Sequence, residues 1–161
     1  MVCAFTGHRP EKLPWKTDEQ DPRCLALKAV LEQRLQSLYD SGCRTFLCGM
    51  ARGCDTYFAE AVVRLRQRWA DVRLIAYPGC GGQENRWPED DRARYTALLQ
   101  QCDEIVMTDV AYAHGCMLRR NAAMIRRADC LLSVYDGSGG GTGHTVSLAR
   151  QKGIPIESVW L

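Results

Sequence analysis

The sequence predicts an α/β chain: a Rossmann-like, doubly wound, mainly parallel sheet of about five to six strands with helices on both faces. Three observations predict it. Short runs rich in Val, Ile, Leu, Phe and Cys alternate with longer segments of helical spacing. The short runs are apolar throughout, as strands covered on both faces are. The glycine-rich and polar loops follow the strands, the side on which doubly wound sheets bind ligands.

The first run, Val2 to Phe5, ends at Thr6-Gly7-His8-Arg9-Pro10. Apolar residues at 24, 27, 31, 35 and 38 then give a helix over Cys24 to Tyr39, which Ser41-Gly42 ends. Thr45 to Cys48 is a second strand, followed by Gly49-Met50-Ala51-Arg52-Gly53-Cys54-Asp55 and a helix reaching about Trp69. Val72 to Tyr77 is a third strand. The long loop from Pro78 to Pro88 is of a length that is often functional. Glu89 to Gln101 reads as a helix and Glu104 to Thr108 as a fourth strand. A short helix from Met117, a strand over Cys130 to Tyr135, a glycine-rich loop, a helix over Gly143 to Lys152 and a strand near Ile154 to Val159 complete the chain.

Composition narrows the class. A length of 161 residues is enough for one domain spanning 1–161, and no repeat or low-complexity run divides it. A net charge of +2 supplies no global drive toward nucleic acid or a membrane surface. The nine cysteines are odd in number and contain no C-x-x-C pair, so they read as reduced, mostly buried small hydrophobes. The three histidines lie far from any close cysteine pair, and no metal site is expected. There is neither a signal peptide nor a long apolar span, which makes the cytoplasm the expected compartment.

Candidate site residues come from the loops. In the first, Thr6, Gly7, His8 and Arg9 offer a hydroxyl, a flexible backbone, an imidazole and a guanidinium suited to a phosphate or carboxylate. In the second, Gly49, Arg52 and Gly53 allow close backbone approach to a ligand, while Asp55 either caps the next helix or faces the site. In the third, Gln83 and Trp87 stand out; Trp87 either stacks on a base or anchors the loop over the core.

The stretch Met117 to Thr145 is the richest. Met117 and Met124 read as core-facing and Arg120 as a phosphate counter-charge, with Asn121 beside it. The strand ends at Asp136 and runs through Gly139, Gly140, Gly141 and Thr142 into a helix start, the geometry that turns free N–H groups toward a phosphate. Thr145 lies one turn further on. A G-x-G-x-x-G fingerprint after the first strand and a Walker A lysine are both absent, which argues against an ordinary NAD dehydrogenase or P-loop NTPase.

These motifs resemble the SLOG superfamily, named for Smf/DprA and the LOG proteins, and within it the YpsA-like branch of small bacterial proteins. The resemblance covers nearly the whole chain: T-G-H-R-P, G-M-A-R-G-C-D, Q-E-x-x-W at Gln83 to Trp87, Arg120 to Met124, and Y-D-G followed by G-G-T-x-x-T. It implies a nucleotide or ADP-ribose-type ligand, bound and sensed without turnover, with no other cofactor. LOG phosphoribohydrolases share the pattern of Met117 to Asp129, except that their lysine is Asn121. Their catalytic glutamate falls at Thr145, which has no carboxylate to offer. A hydrolase would then have to use another acid, and Asp55 and Asp136 are the nearby candidates. DprA resembles the chain through A-R-G-x-D and the G-T-x-x-T segment, and it binds single-stranded DNA. The low net charge and few candidate stacking aromatics argue against nucleic acid here. Relatives commonly dimerise through helices beside the site, which leaves a homodimer open.

Overall fold

A computed structural model describes residues Met1–Leu161. Its strands are β1 (Val2–Gly7), β2 (Thr45–Cys48), β3 (Arg73–Ala76), β4 (Glu104–Ile105), β5 (Cys130–Tyr135) and β6 (Ile156–Trp160). The helices are α1 (Pro22–Asp40), α2 (Cys54–Arg68), α3 (Glu89–Gln100), α4 (Cys116–Arg127) and α5 (Gly141–Lys152), with one 3₁₀ turn at Pro10–Lys12. All strands pair in parallel, in the order β4-β3-β2-β1-β5-β6. The expectation of a mainly parallel sheet is thus sharpened to a wholly parallel one.

The pleat sorts the side chains. Cys3, Phe5, Phe46, Cys48 and Leu74 point into the larger core with α1, α2 and α3, where the Phe5 and Phe58 rings stack at 4.2 Å. Ala4, Leu47, Ile75 and Leu131 point the other way, against Met124 and Ile125 of α4 and Val146 and Ala149 of α5. Both faces are therefore covered, which is why the strands read as continuous apolar runs.

Local chemistry sets the element ends. Asp21 caps α1 by accepting from the Arg23 backbone N–H at 2.8 Å, and Pro22 sits at the first helical position. α5 begins at Gly141, two residues before the expected start, and stops at Gly153 in the left-handed region. Lys152 at its last turn donates to the Ile125, Arg126 and Ala128 carbonyls, closing the end of α4. β4 pairs only Glu104 and Ile105 with Ile75 and Ala76, so the expected strand to Thr108 is shorter. β6 starts at Ile156 rather than Ile154, because Pro155 has no N–H to give to a ladder. All nine cysteines are free, and all but Cys102 and Cys130 are buried. No helix is long and apolar enough to cross a membrane.

Candidate functional site

Strand order reverses at β1: the chain runs outward through β2, β3 and β4, then returns to place β5 on the other side of β1. A cleft opens at the carboxyl ends of β1 and β5, where such a reversal leaves room for a ligand. Its volume is about 340 Å³. The β1 loop supplies Thr6 to Arg9, α2 supplies Asp55, α4 supplies Arg120 and Asn121, and the start of α5 supplies Gly140, Gly141 and Thr142.

Arg120 is built into the floor. It is only 4% exposed, and its Nη1 donates to the Gly49 carbonyl at the end of β2 and to the Tyr77 carbonyl just after β3, the latter at 3.1 Å. Its Nε donates to Asn121 Oδ1 at 2.6 Å. Gly49 is required for this: a Cβ there would collide with the guanidinium. The glycine expected to approach a ligand instead makes room for an arginine. Burial pulls the Arg120 guanidinium below its ordinary pKa, against the opposing charge of Asp55. Burial likewise pushes the Asp55 carboxyl up, against the Arg120 charge and a 3.0 Å bond accepted from the Ala51 N–H.

The β5–α5 loop is fastened to the β1 loop twice. Asp136 Oδ1 lies 2.8 Å from His8 Nε2 and accepts from the Ser138 N–H at 2.8 Å. Hydrogen bonds from Ser138, then from His8, hold the Asp136 carboxyl far below the usual carboxylate range. A carboxylate held this way is a poor proton donor, and Asp136 does not line the cleft; it orients His8. The second fastening is Lys12, whose Nζ donates to Ser138 Oγ at 3.1 Å and to the Gly139 carbonyl.

Several expected residues sit elsewhere. Thr145 is fully buried and turns its hydroxyl back to the Gly141 carbonyl at 2.9 Å. Gln83 ties the long loop down: it accepts from Gly79 N–H and donates to the Met50 carbonyl. Trp87 packs edge-on against Tyr95 at 5.2 Å, so of its two readings the anchoring one describes its packing. Trp87 and Gly53 line a neighbouring groove with Arg52, which pairs with Asp91 at 2.8 Å. Gly139 is exposed on the loop outside the cleft lining. Met124 is in the core as expected and also borders the cleft, Met117 is only half-buried and lines it, and Lys12 joins them there although nothing in the sequence marked it.

Four polar groups of the cleft have no partner in the protein. Thr6 and Thr142 hydroxyls, His8 Nδ1 and Asn121 Nδ2 form no hydrogen bond, yet each residue is at most 7% exposed. None of these atoms is sealed from solvent. All four residues line this one cleft, so the unused hydrogen-bonding capacity opens into it. The first turn of α5 adds more: no side chain caps it, and its first N–H groups have no intrahelical acceptor. The site thus combines donors, a helix N-terminus and cations around a small space walled in part by Phe5, Met117 and Met124.

Comparisons with known proteins agree with this architecture. A UPF0398 protein of Bacillus velezensis is 30% identical over 98% of this chain and 90% of its own length. A UPF0398 protein of Bacillus anthracis is 28% identical over 94% of this chain and 84% of its own. Among solved structures, DNA processing protein A from Helicobacter pylori, studied for its single-stranded DNA binding mode, superposes with a TM-score of 0.63 at 16% identity. DNA processing protein A from Streptococcus pneumoniae gives 0.67 at 15% identity. This chain spans 64% and 49% of those two chains, and at such identity the likeness is one of fold. The YpsA family model, that of the YspA SLOG family, matches residues 3–152, and the chain belongs to that family.

Proposed function

We propose that this chain binds a phosphorylated nucleotide or an ADP-ribose-type ligand in the β1–β5 cleft and senses it without turning it over. The carrying observation is the convergence of four unpartnered polar groups on one cleft that also holds the uncapped start of α5. These groups reach solvent only through the cleft, and a ligand with hydroxyls and phosphate oxygens would satisfy them together. A volume of about 340 Å³ is at the small end of ligand sites, which suits a mononucleotide-sized group.

A phosphoribohydrolase reading has less support. Thr145 is buried and bonded to Gly141, and Asp136 is committed to His8 and Ser138. Of the two candidate acids only Asp55 lines the cleft, and it is engaged with the Ala51 N–H.

Single-stranded DNA is the second reading. The Helicobacter pylori neighbour supports it, and so does the groove of Arg9, Glu11, Arg52 and Trp87 that continues from the cleft.

A thermal-shift panel of AMP, ADP-ribose, cyclic ADP-ribose, NAD, the nucleoside monophosphates and a short DNA strand separates the two. A ligand at a hundred times its Kd stabilises the fold by about 2.7 kcal/mol, or several degrees. The expected result is a selective shift with one nucleotide and intact nucleotide on chromatography afterwards. A shift with DNA alone overturns the small-ligand reading, and released base overturns the absence of turnover.

A further inference from the structure

Ion pairing within the cleft leaves its charges unevenly compensated. The Arg120 guanidinium and the Asp55 carboxyl oppose each other. Glu11 faces Arg52 at 3.8 Å, and Asp136 is held by His8. No ion pair involves Asp55 or Arg120, which are buried, and none involves Arg9 or Lys12. The last two are exposed cations on the β1 loop and the 3₁₀ turn that follows it.

Arg120, the expected counter-charge, is poorly placed for a ligand. Three of its five N–H donors are spent on the Gly49 and Tyr77 carbonyls and on Asn121, and a fourth points at the Met117 sulfur. Lys12 has the opposite character. It reaches across the cleft to Ser138 and Gly139, and a Cβ on Gly140 would lie 3.0 Å from its ammonium. The ammonium therefore sits over the residue that leads into α5, with one of its three N–H donors still free. Gly141 has open space where a side chain would be. Beside it, Thr142 is 7% exposed, lines the cleft and has a hydroxyl with no partner in the protein.

We propose that Lys12 is the phosphate-reading residue of the cleft and that the ligand it selects carries a terminal phosphomonoester. The phosphate sits between the Lys12 ammonium, the first N–H groups of α5 and the Thr142 hydroxyl, with Arg9 at the rim. Charge selects the class. A phosphomonoester carries about −1.5 to −2 near neutral pH and matches the two exposed cations of the lining. A diester oxygen pair carries a single negative charge and leaves one cation unmatched. This inference rests on the nucleotide-binding reading and specifies its ligand.

Calorimetry with the common ribonucleoside 5′-monophosphates, their nucleosides and the 3′,5′-cyclic monophosphate of the tightest binder tests it. Wild type is expected to prefer the monoester over both comparators. Lys12→Met, which keeps the aliphatic stem, is expected to weaken the monoester about tenfold or more and the cyclic diester less. Lys12→Arg should recover part of the loss, because charge rather than shape is removed. Lys12→Met also cuts the ties to Ser138 and Gly139, so the unfolding temperature of the unliganded variants should fall only slightly, since Lys12 is exposed. Monoester binding within about twofold of wild type in Lys12→Met overturns the inference and leaves nucleotide binding standing. Equal wild-type affinity for monoester and cyclic diester overturns the ligand class. No binding of any nucleotide by wild type overturns the nucleotide reading and this inference with it.

Discussion

Arg120 carries a charge to a place where almost no water reaches it, and its surroundings explain how. Its donors meet carbonyls at the ends of two neighbouring strands, where the sheet leaves acceptors unpaired, and Asp55 opposes its charge. Removing it would strand the Tyr77 carbonyl, cut the bond to Gly49 and leave Asp55 with only the more distant influence of Arg9. Arg120→Met should therefore cost about 3 kcal/mol or more, measured as a lower urea midpoint at unchanged slope. Asp55→Asn added to it should return part of that loss, since the uncompensated carboxylate is gone. A single-variant loss below about 1 kcal/mol would place Arg120 outside the framework and return it to the list of free ligand contacts. The residue was legible as important, but its partners were not. Gly49 and Tyr77 are brought to it only when β2 and β3 lie side by side.

Between elements, the clearest tie is Arg94 on α3. It donates to Glu60 on α2 and to Glu19 before α1, while Lys28 on α1 also reaches Glu19. Burial alone would raise the Glu19 carboxyl, but hydrogen bonds from Arg94 and Lys28 outweigh it and hold the group at about 2. An unfolded glutamate titrates near about 4.3. The folded value is the lower one, so this contribution is fully present above about pH 4.3 and is lost as pH falls toward 2. Glu19→Gln should lower stability at neutral pH and flatten the acid limb of the stability–pH curve in that window. An unchanged limb in urea titrations at successive pH values would show that the tie contributes nothing. Elements such as α1 and β5 were legible because periodicity and apolar runs state a burial pattern directly. Element ends were less so. α5 starts on Gly141, a poor helix former, because tertiary placement of the loop outweighs propensity. β4 pairs over only two residues at the sheet edge.

At the scale of the molecule, topology assembles the cleft, and that limits what a sequence can disclose. The loops after the strands announced themselves by glycine and polar residues, since such residues have no packing role at a strand's end. Lys12 did not, because its partner Ser138 lies 126 residues away and meets it only where β1 pairs with β5. The same assembly sets how binding responds to salt. Each phosphate neutralised on a single strand contributes about 0.7 to the slope of log affinity against log salt. A ligand held in the cleft brings at most about two phosphates to the exposed cations Arg9 and Lys12, which allows a slope no steeper than about −1.4. Single-stranded DNA tracking on through the groove of Arg52 and Trp87 would engage several phosphates and fall more steeply than about −3. Affinity measured across a salt series, with the bound nucleotide and with a short DNA strand, reads the difference directly. A shallow slope with the nucleotide assigns binding to the cleft alone. A steep one, with DNA as the tighter partner, would mean that the cleft is one station on a longer track and that the net charge of +2 conceals a local path for a polyanion.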